Sequence, residues 1–273
     1  MRWMILVAAW LAAGSAHAVG DLLEDQPWAA TYSQNGLHPS YAVDGVLPNH
    51  SGGTSDDHKG WGLWYAGAYQ DADAVFESSA NVGSDQITIA LDFRYANRFL
   101  LGYFQLLATD DDRTNFADND PVGGQMGSSW TSLTNPSAYF FDYSASGALA
   151  TPSVLSMDPV RSNGATGEIF AAAAGVTYPT TGSVGYPGGA SYYLVFDNPF
   201  SAESGSTGLT GVRLNTLYHS DLPSNGPGVV SGNMVLTEIR LFEGAAVPEA
   251  STGLLVLIGL AGLVARRRAE KQD

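Results

Sequence analysis

The sequence predicts an all-β protein, a β-sandwich with long loops between its strands. Segments with helical periodicity are scarce, while short runs rich in β-branched and aromatic residues recur between clusters of Gly, Pro, Ser and Asn. Glycine occurs 32 times and proline 13 times in 273 residues, as expected of a chain with many turns. Cysteine is absent, which excludes disulfides, thiolate metal sites and thiol catalysis.

Six segments carry the strand pattern. Gln86 to Phe93 alternates Ile87, Ile89 and Leu91 with polar or small neighbours, as a strand with one buried face does. The other five are residues 98–108, 138–143, 191–197, 209–218 and 234–244. In the last segment the alternation predicts that Glu238 faces outward. Because the loops between strands differ greatly in length, a sandwich of jelly-roll type is favoured.

The first 18 residues have the three parts of a secretory signal peptide. Arg2 supplies the positive charge, an apolar run covers residues 3–13, and Ala16 and Ala18 flank His17 as a small-residue cleavage site. The sequence therefore predicts that residues 1–18 are removed and that the rest of the chain is exported through the inner membrane.

The end of the chain, residues 247–273, combines a short motif, an apolar segment and a basic cluster. Pro248 and Glu249 precede an apolar stretch over residues 252–265. The basic cluster is Arg266, Arg267 and Arg268. Arginines in this position are expected to stay on the cytoplasmic side of a membrane.

This tail resembles the PEP-CTERM sorting signal of bacterial exported proteins, with Ala250 in place of the usual second proline. The resemblance implies that the apolar helix holds the precursor in the membrane until an exosortase-type enzyme processes it near Pro248 and Glu249. The protein would then reach the cell surface or the exterior. An ordinary single-span membrane anchor is the alternative.

The body, residues 19–246, resembles the discoidin-like, galactose-binding-type β-sandwich. The resemblance lies in the order of the predicted strands, in the tryptophans near residues 61 and 130, and in an Ala-x-Asp-Gly element at Ala42, Asp44 and Gly45. It implies a calcium-binding loop near Asp44 and ligand-binding loops at one end of the sandwich. Long insertions between residues 108 and 190 are expected, because that family's domain is shorter.

The charge of the chain limits its partners. Asp and Glu total 27 against 12 Lys and Arg, a formal net charge of −15. A body this acidic repels phosphate backbones, so nucleic acid is excluded as a partner. Cations and neutral polymers such as polysaccharides are favoured.

The acidic loop at residues 110–120 is the densest chemical feature. It places seven oxygen-bearing side chains, five of them aspartates, directly after a predicted strand. Calcium takes six to eight oxygen ligands and would offset the repulsion between these carboxylates. The candidate calcium ligands are Asp110, Asp111, Asp112, Asp118, Asp120 and, by the resemblance, Asp44. A solvated loop without metal is the alternative.

A second candidate loop, residues 44–64, brings aromatic and polar residues together. Trp61 and Trp64 could stack on a sugar ring, and His58 could contribute a polar contact or bind a metal. The alternative is that both tryptophans fill the core of the sandwich.

Enzymatic motifs are missing from the sequence. It contains no Gly-x-Ser-x-Gly elbow, His-Glu-x-x-His metal motif or phosphate-binding loop. Acids such as Glu168 and Glu238 are too plentiful for any pair to indicate a glycosidase. The sequence therefore predicts a non-catalytic exported module that binds carbohydrate, such as exopolysaccharide, with calcium ordering one loop. A structural surface protein without a small ligand, or an extracellular hydrolase, are the alternatives.

Overall fold

The protein is an all-β sandwich, as the sequence predicts. The computed structural model describes residues 20–46, 59–64, 71–95, 99–142, 153–154, 166–171, 190–229 and 232–246. The predicted signal peptide and sorting tail, with Pro248, Glu249 and the three arginines, lie outside these residues. Across the described ranges, no helix has the length and apolar character needed to cross a membrane.

Thirteen strands are formed by the described residues. They are β1 (Trp28–Ala30), β2 (Trp61–Leu63), β3 (Ala72–Val82), β4 (Gln86–Phe93), β5 (Tyr103–Thr109), β6 (Thr131–Ser132), β7 (Ser137–Asp142), β8 (Ser153–Val154), β9 (Glu168–Phe170), β10 (Ala190–Asp197), β11 (Leu209–Thr216), β12 (Met234–Leu236) and β13 (Glu238–Glu243). Short 3-10 helices occur at Pro39–Ala42, Arg113–Asn115, Ala202–Ser204 and Pro223–Asn225.

The strands form two main antiparallel sheets. The first has the order β1-β3-β11-β5-β6, with β9 also pairing with β5. The second has the order β13-β4-β10-β7-β8, and β2 pairs with β12 in a small two-stranded ribbon. Sequential strands are often not neighbours, because the chain crosses between the sheets.

The hydrophobic core lies between the inward faces of the two sheets. Phe104 of the first sheet stacks on Tyr192 of the second, with ring centroids 6.2 Å apart and an angle of 12° between the rings. The Tyr192 hydroxyl donates a hydrogen bond to the Leu101 carbonyl at 3.0 Å, so its polar end is also satisfied. Each large apolar side chain buried here contributes about 1.5–3 kcal/mol to folding.

The last predicted strand is interrupted, which corrects the prediction of one strand over residues 234–244. Leu236 pairs with Trp61 in β2, whereas Glu238 pairs with Asp92 in β4. Thr237 makes the transition, because its backbone N–H and its hydroxyl both donate to the Asp92 carbonyl at 2.8 Å. The end of the chain therefore joins the small ribbon to the second sheet.

Two further segments extend the edges of the two sheets. The Leu22 N–H donates to the Leu241 carbonyl at 3.0 Å, so the N-terminal residues lie alongside β13. On the first sheet, the acidic loop extends the edge of β1, since the Asn119 N–H donates to the Trp28 carbonyl at 2.6 Å.

Candidate functional site

Trp61 and Trp64 lie three residues apart and have opposite environments. The Trp61 side chain is fully buried, and its indole N–H donates to the Tyr32 carbonyl at 3.0 Å. A buried indole has no face open to a sugar ring, so Trp61 is withdrawn from the candidate ligand-binding residues and belongs to the core. Trp64, directly after β2, is 54% exposed. An exposed indole is available for stacking.

Trp64 lines a cleft, here named the distal cleft, with a volume of about 300 Å³. The other lining residues are Gln34, Leu37, Leu63, Tyr95, Phe99, Asn233, Met234 and Val235. Tyr95, in the cleft, follows the end of β4. Gly244, near the end of the described chain, lies at the opposite end of the same strand, because its N–H donates to the Gln86 carbonyl. An eight-residue strand is about 23 Å long, so the cleft opens at the end of the sandwich far from residue 244.

Backbone hydrogen bonds hold the walls of the distal cleft together. The Gln34 N–H donates to the Gly62 carbonyl at 2.9 Å, and the Val235 N–H donates to the Phe99 carbonyl at 3.0 Å. Gly62 is needed for this approach, because a Cβ there would lie 2.4 Å from Leu37 Cδ1. The cleft therefore belongs to the folded framework.

The chemistry of the distal cleft suits an uncharged ligand with both apolar and polar faces. Tyr95 and Phe99 form a tilted ring pair with centroids 6.1 Å apart, and Trp64 adds a third aromatic surface. None of its described lining residues is charged. Gln34 and Asn233 add polar side chains to this lining, and the Asn233 side-chain oxygen is buried without a hydrogen-bond partner among the described residues.

The acidic loop is ordered by its own hydrogen bonds. The Asp112 carboxylate accepts from the Thr114 N–H at 2.9 Å and caps the short helix Arg113–Asn115. The Asp118 carboxylate accepts from the N–H groups of Asp120 and Gln125 at 3.3 and 3.0 Å. Those two aspartates therefore act as turn and helix caps.

The other aspartates of the acidic loop have separate partners. Asp110 accepts from the Ser206 hydroxyl, Asp111 from the Ser129 N–H, and Asp120 from the Val122 N–H. In the described part of the chain, no three His, Asp or Glu side chains converge as a group of metal ligands. The predicted calcium ligands of this loop are therefore not brought together around one point.

Glu238 lies on the outer side of the second sheet, as the alternation predicts, but it is fully buried. Neither of its carboxylate oxygens has a hydrogen-bond partner among the described residues. Burial, reinforced by the negative charges of Asp21, Asp44 and Asp92, raises the pKa of Glu238 to about 9. This is the most strongly perturbed carboxylate of the described chain.

We name Glu238, Asp21 and Asp44 the Glu238 cluster. Asp21 accepts from the N–H groups of Leu23 and Leu241, but its second oxygen is buried without a partner among the described residues. Burial raises the pKa of Asp21 to about 6. Burial also raises the pKa of Asp44, which accepts from the Val46 N–H at 2.9 Å. The cluster thus has more buried oxygens than donors.

Asp92, which pairs with Glu238 in the sheet, is also buried, but its carboxylate has positively charged and hydrogen-bonding partners. One of its oxygens accepts two hydrogen bonds from the Arg240 guanidinium, at 2.7 and 3.1 Å. The other accepts from the Ser191 hydroxyl and lies 3.4 Å from an Arg94 nitrogen. Arg240 and Arg94 both form ion pairs with Asp92, and none of the described cations forms an ion pair with a member of the Glu238 cluster.

The remaining predicted site residue, His58, lies outside the described residues. Sequence reasoning did not select Tyr95, Phe99 and Asn233, although two of them are aromatic. These three residues are separated from Trp64 by at least thirty positions along the chain, and only the fold brings them to one cleft.

Two solved structures are similar to this chain at a low level. One is CBM32-3 from a family 31 glycoside hydrolase of Clostridium perfringens, with 11% identity and a TM-score of 0.36 over 79% of this chain and 88% of that chain. The other comes from the Streptococcus pneumoniae β-galactosidase BgaA, with 10% identity and a TM-score of 0.42 over 82% of this chain and 99% of that chain.

No protein-family model matches the chain, and neither does any curated protein sequence. Because both TM-scores lie below 0.5, the function has to be sought in the chemistry of the chain's own side chains.

Proposed function

We propose that the protein is an exported, non-catalytic binding protein whose distal cleft takes a neutral carbohydrate. One observation carries the proposal: an exposed indole, Trp64, borders an uncharged aromatic cleft that is also lined by the polar residues Gln34 and Asn233. The C–H groups of a pyranose carry partial positive charge and pack on the electron-rich face of an aromatic ring. Gln34 and Asn233 would offer polar contacts to the sugar hydroxyls.

The size of the cleft narrows the ligand further. Small-molecule sites span about 300–1,000 Å³, so a cleft of about 300 Å³ stands at the lower limit. It suits one or two sugar rings, such as the end or a side branch of a polysaccharide. The absence of charge among its described lining residues favours a neutral sugar over a uronic acid or a sulfated one.

Calcium has a specific place in this proposal, and that place is the Glu238 cluster. Glu238 and Asp21 have buried oxygens without hydrogen-bond partners among the described residues, and the charge of Asp44 helps to raise the pKa of Glu238. Oxygens of this kind suit a hard divalent cation, which takes six to eight oxygen ligands. The three side chains do not converge on one point in the structure, so the ion would have to draw them together. Glu238, Asp21 and Asp44 would supply carboxylate ligands, with backbone carbonyls completing the shell. The ion would neutralise the buried charge and tie the N-terminal residues to β13.

The finer fold type and the route of export are parts of the same proposal. The Ala42, Asp44 and Gly45 element and the two-sheet arrangement support a discoidin-like jelly roll. The residue pattern of the tail supports PEP-CTERM-type sorting by an exosortase, from a membrane-held precursor to the cell surface or exterior. The distal cleft would then open away from residue 246, where the tail begins.

A glycan array tests the proposed function. We expect the full-length chain, purified in a mild detergent, to bind one class of neutral glycan, and Trp64→Ala to reduce that binding at least about tenfold, the loss of one buried stacking contact. Tyr218→Ala is the matched control, because Tyr218 is 52% exposed and does not line the cleft.

Equal binding by wild type and Trp64→Ala would reject the distal cleft as the site. A blank array from folded protein would reject carbohydrate binding itself and favour a structural surface protein. Turnover of a glycan on the array would favour the hydrolase instead.

A further inference from the structure

A second cleft, here named the Trp28 cleft, differs from the distal cleft in its chemistry. It has a volume of about 250 Å³. Its lining residues are Asp25, Gln26, Pro27, Trp28, Ser40, Val43 and Asn119. It shares no lining residue with the distal cleft.

The walls of the Trp28 cleft come from three separate segments that are firmly joined. The Asn119 N–H donates to the Trp28 carbonyl at 2.6 Å, and the Trp28 N–H donates back to the Asn119 side-chain oxygen at 3.3 Å. On the other side, the Asp25 N–H donates to the Val43 carbonyl at 2.6 Å. The positions of Asp25 and Asn119 relative to the Trp28 backbone are therefore set before any ligand arrives.

Asp25 and Asn119 both have backbone conformations that are uncommon for residues with a side chain. Their φ angles are +57° and +63°, in the left-handed region. Such conformations cost free energy and persist where the surrounding structure demands them. In this cleft they add an acid and an amide to the lining beside Trp28.

The charge of the cleft selects the ligand. The Asp25 carboxylate is exposed, and none of the described cations forms an ion pair with it. Aromatic rings, tryptophan above all, attract cations over their faces, and a carboxylate forms a charge-assisted hydrogen bond with an ammonium group. A phosphorylated or carboxylated ligand would be repelled by Asp25 and by the net charge of −15.

We infer that the Trp28 cleft binds an amino sugar through its protonated, unacetylated amino group. Asp25 accepts hydrogen bonds from the ammonium, the Trp28 ring lies against the sugar, and Ser40 and Asn119 offer polar contacts to its hydroxyls. The inference rests on the proposed function in one respect: the proposed function is the reason why we take the amine to belong to a sugar. A polymer with both neutral and amino sugar units would engage both clefts.

Calorimetric titration with two matched trisaccharides tests the inference. We expect full-length protein, at moderate salt and mildly acidic pH, to bind a glucosamine trisaccharide at least about fivefold more tightly than its N-acetylated counterpart, since only the former carries ammonium groups. Asp25→Asn should abolish that preference. Asparagine tolerates the left-handed conformation, so the backbone at residue 25 is retained.

Two controls separate this site from general charge attraction and from the distal cleft. Asp85→Asn removes an equal charge from an exposed turn, and we expect it to keep the preference. Trp64→Ala should also keep it. A preference that survives Asp25→Asn, or a failure to bind the glucosamine trisaccharide, would overturn the inference while leaving the distal cleft untouched. Loss of the preference in Trp64→Ala would also overturn the inference, because it would show that the amine binds in the distal cleft.

Discussion

Two acidic regions of the molecule differ in how their carboxylates are compensated. The acidic loop has five aspartates within residues 110–120, and each accepts a hydrogen bond from a backbone N–H or a hydroxyl group. The Glu238 cluster has only three acids spread over the chain, yet three of its carboxylate oxygens are buried without a donor among the described residues. The Glu238 cluster, although it has fewer acids, is therefore the region whose carboxylates are the less well compensated by hydrogen-bond donors.

The comparison shows that acid density along a chain is a poor guide to a metal site. Close aspartates in a loop serve readily as caps, because short polar side chains bond to nearby backbone N–H groups. A buried carboxylate without such hydrogen bonds is unstable in its charged form, so it must either keep its proton or bind a cation. On our proposal, calcium binds at the Glu238 cluster, while the acidic loop has a structural role through the hydrogen bonds of its aspartates.

Calcium-dependent stability is the largest effect expected from this difference. Calcium at about 100 times its dissociation constant would stabilise the wild type by about 2.7 kcal/mol, raising Tm by about 5–10 °C relative to chelated protein. Glu238→Gln should lose most of that rise, because glutamine cannot supply the charged ligand. Thermal unfolding with calcium and with a chelator measures it.

Asp118→Asn is the control for that experiment, since it removes a charge from the acidic loop but keeps an acceptor oxygen. It should show the full calcium response. A calcium response that is intact in Glu238→Gln and lost in Asp118→Asn would show that calcium binds in the acidic loop and not at the Glu238 cluster.

The pH dependence of metal-free protein is the next largest effect. Glu238 binds its proton more tightly in the folded state, with a pKa of about 9 against an ordinary 4.5, so folded protein loses stability as pH rises between these values. The slope from one such group approaches about 1.4 kcal/mol per pH unit. Denaturant unfolding between pH 7 and 8.5, at least about one unit above the Asp21 pKa of about 6, reports mainly on Glu238.

Glu238→Gln resembles the protonated acid and should flatten this slope. Wild-type protein whose stability stays constant or rises over that range in the presence of chelator would contradict the burial of an uncompensated Glu238.

The smallest effect concerns the acidic loop itself. Asp118→Ala removes the acceptor for the Asp120 and Gln125 N–H groups and should destabilise the fold by about 1 kcal/mol, as loss of a cap does. Chemical denaturation of calcium-loaded protein measures it. A loop that only solvates its charges would show no loss.

Much of the sheet framework could be predicted from the sequence, because alternation marks strands with one buried face. The predicted segment at residues 86–93 matches β4, and those at 191–197 and 209–218 fall on β10 and β11. β3 was missed, although it is the longest strand. Its inward positions include Ala72, Ala74 and Ser78, and small residues give a weak hydrophobic pattern.

The candidate sites were harder to predict, because they depend on which segments cover which faces. Alternation correctly put Glu238 on the outer side of its strand, but nothing in residues 234–244 indicates that Glu238 is buried and lies near Asp21 and Asp44. Trp61 and Trp64 have similar sequence surroundings, and only the pairing of β2 with β12 places the first inside and leaves the second exposed. The sugar-binding role of Trp64 stays a prediction.

Binding of a glycan in the distal cleft through Trp64 can be observed in the NMR resonances of the tryptophan indole N–H groups. Glycan from the array is titrated into ¹⁵N-labelled protein, with the Trp61 and Trp64 signals assigned by substitution. We predict that the Trp64 signal shifts to saturation while the Trp61 signal, held on the Tyr32 carbonyl in the core, stays in place. Saturable binding that leaves the Trp64 signal unmoved would contradict the account.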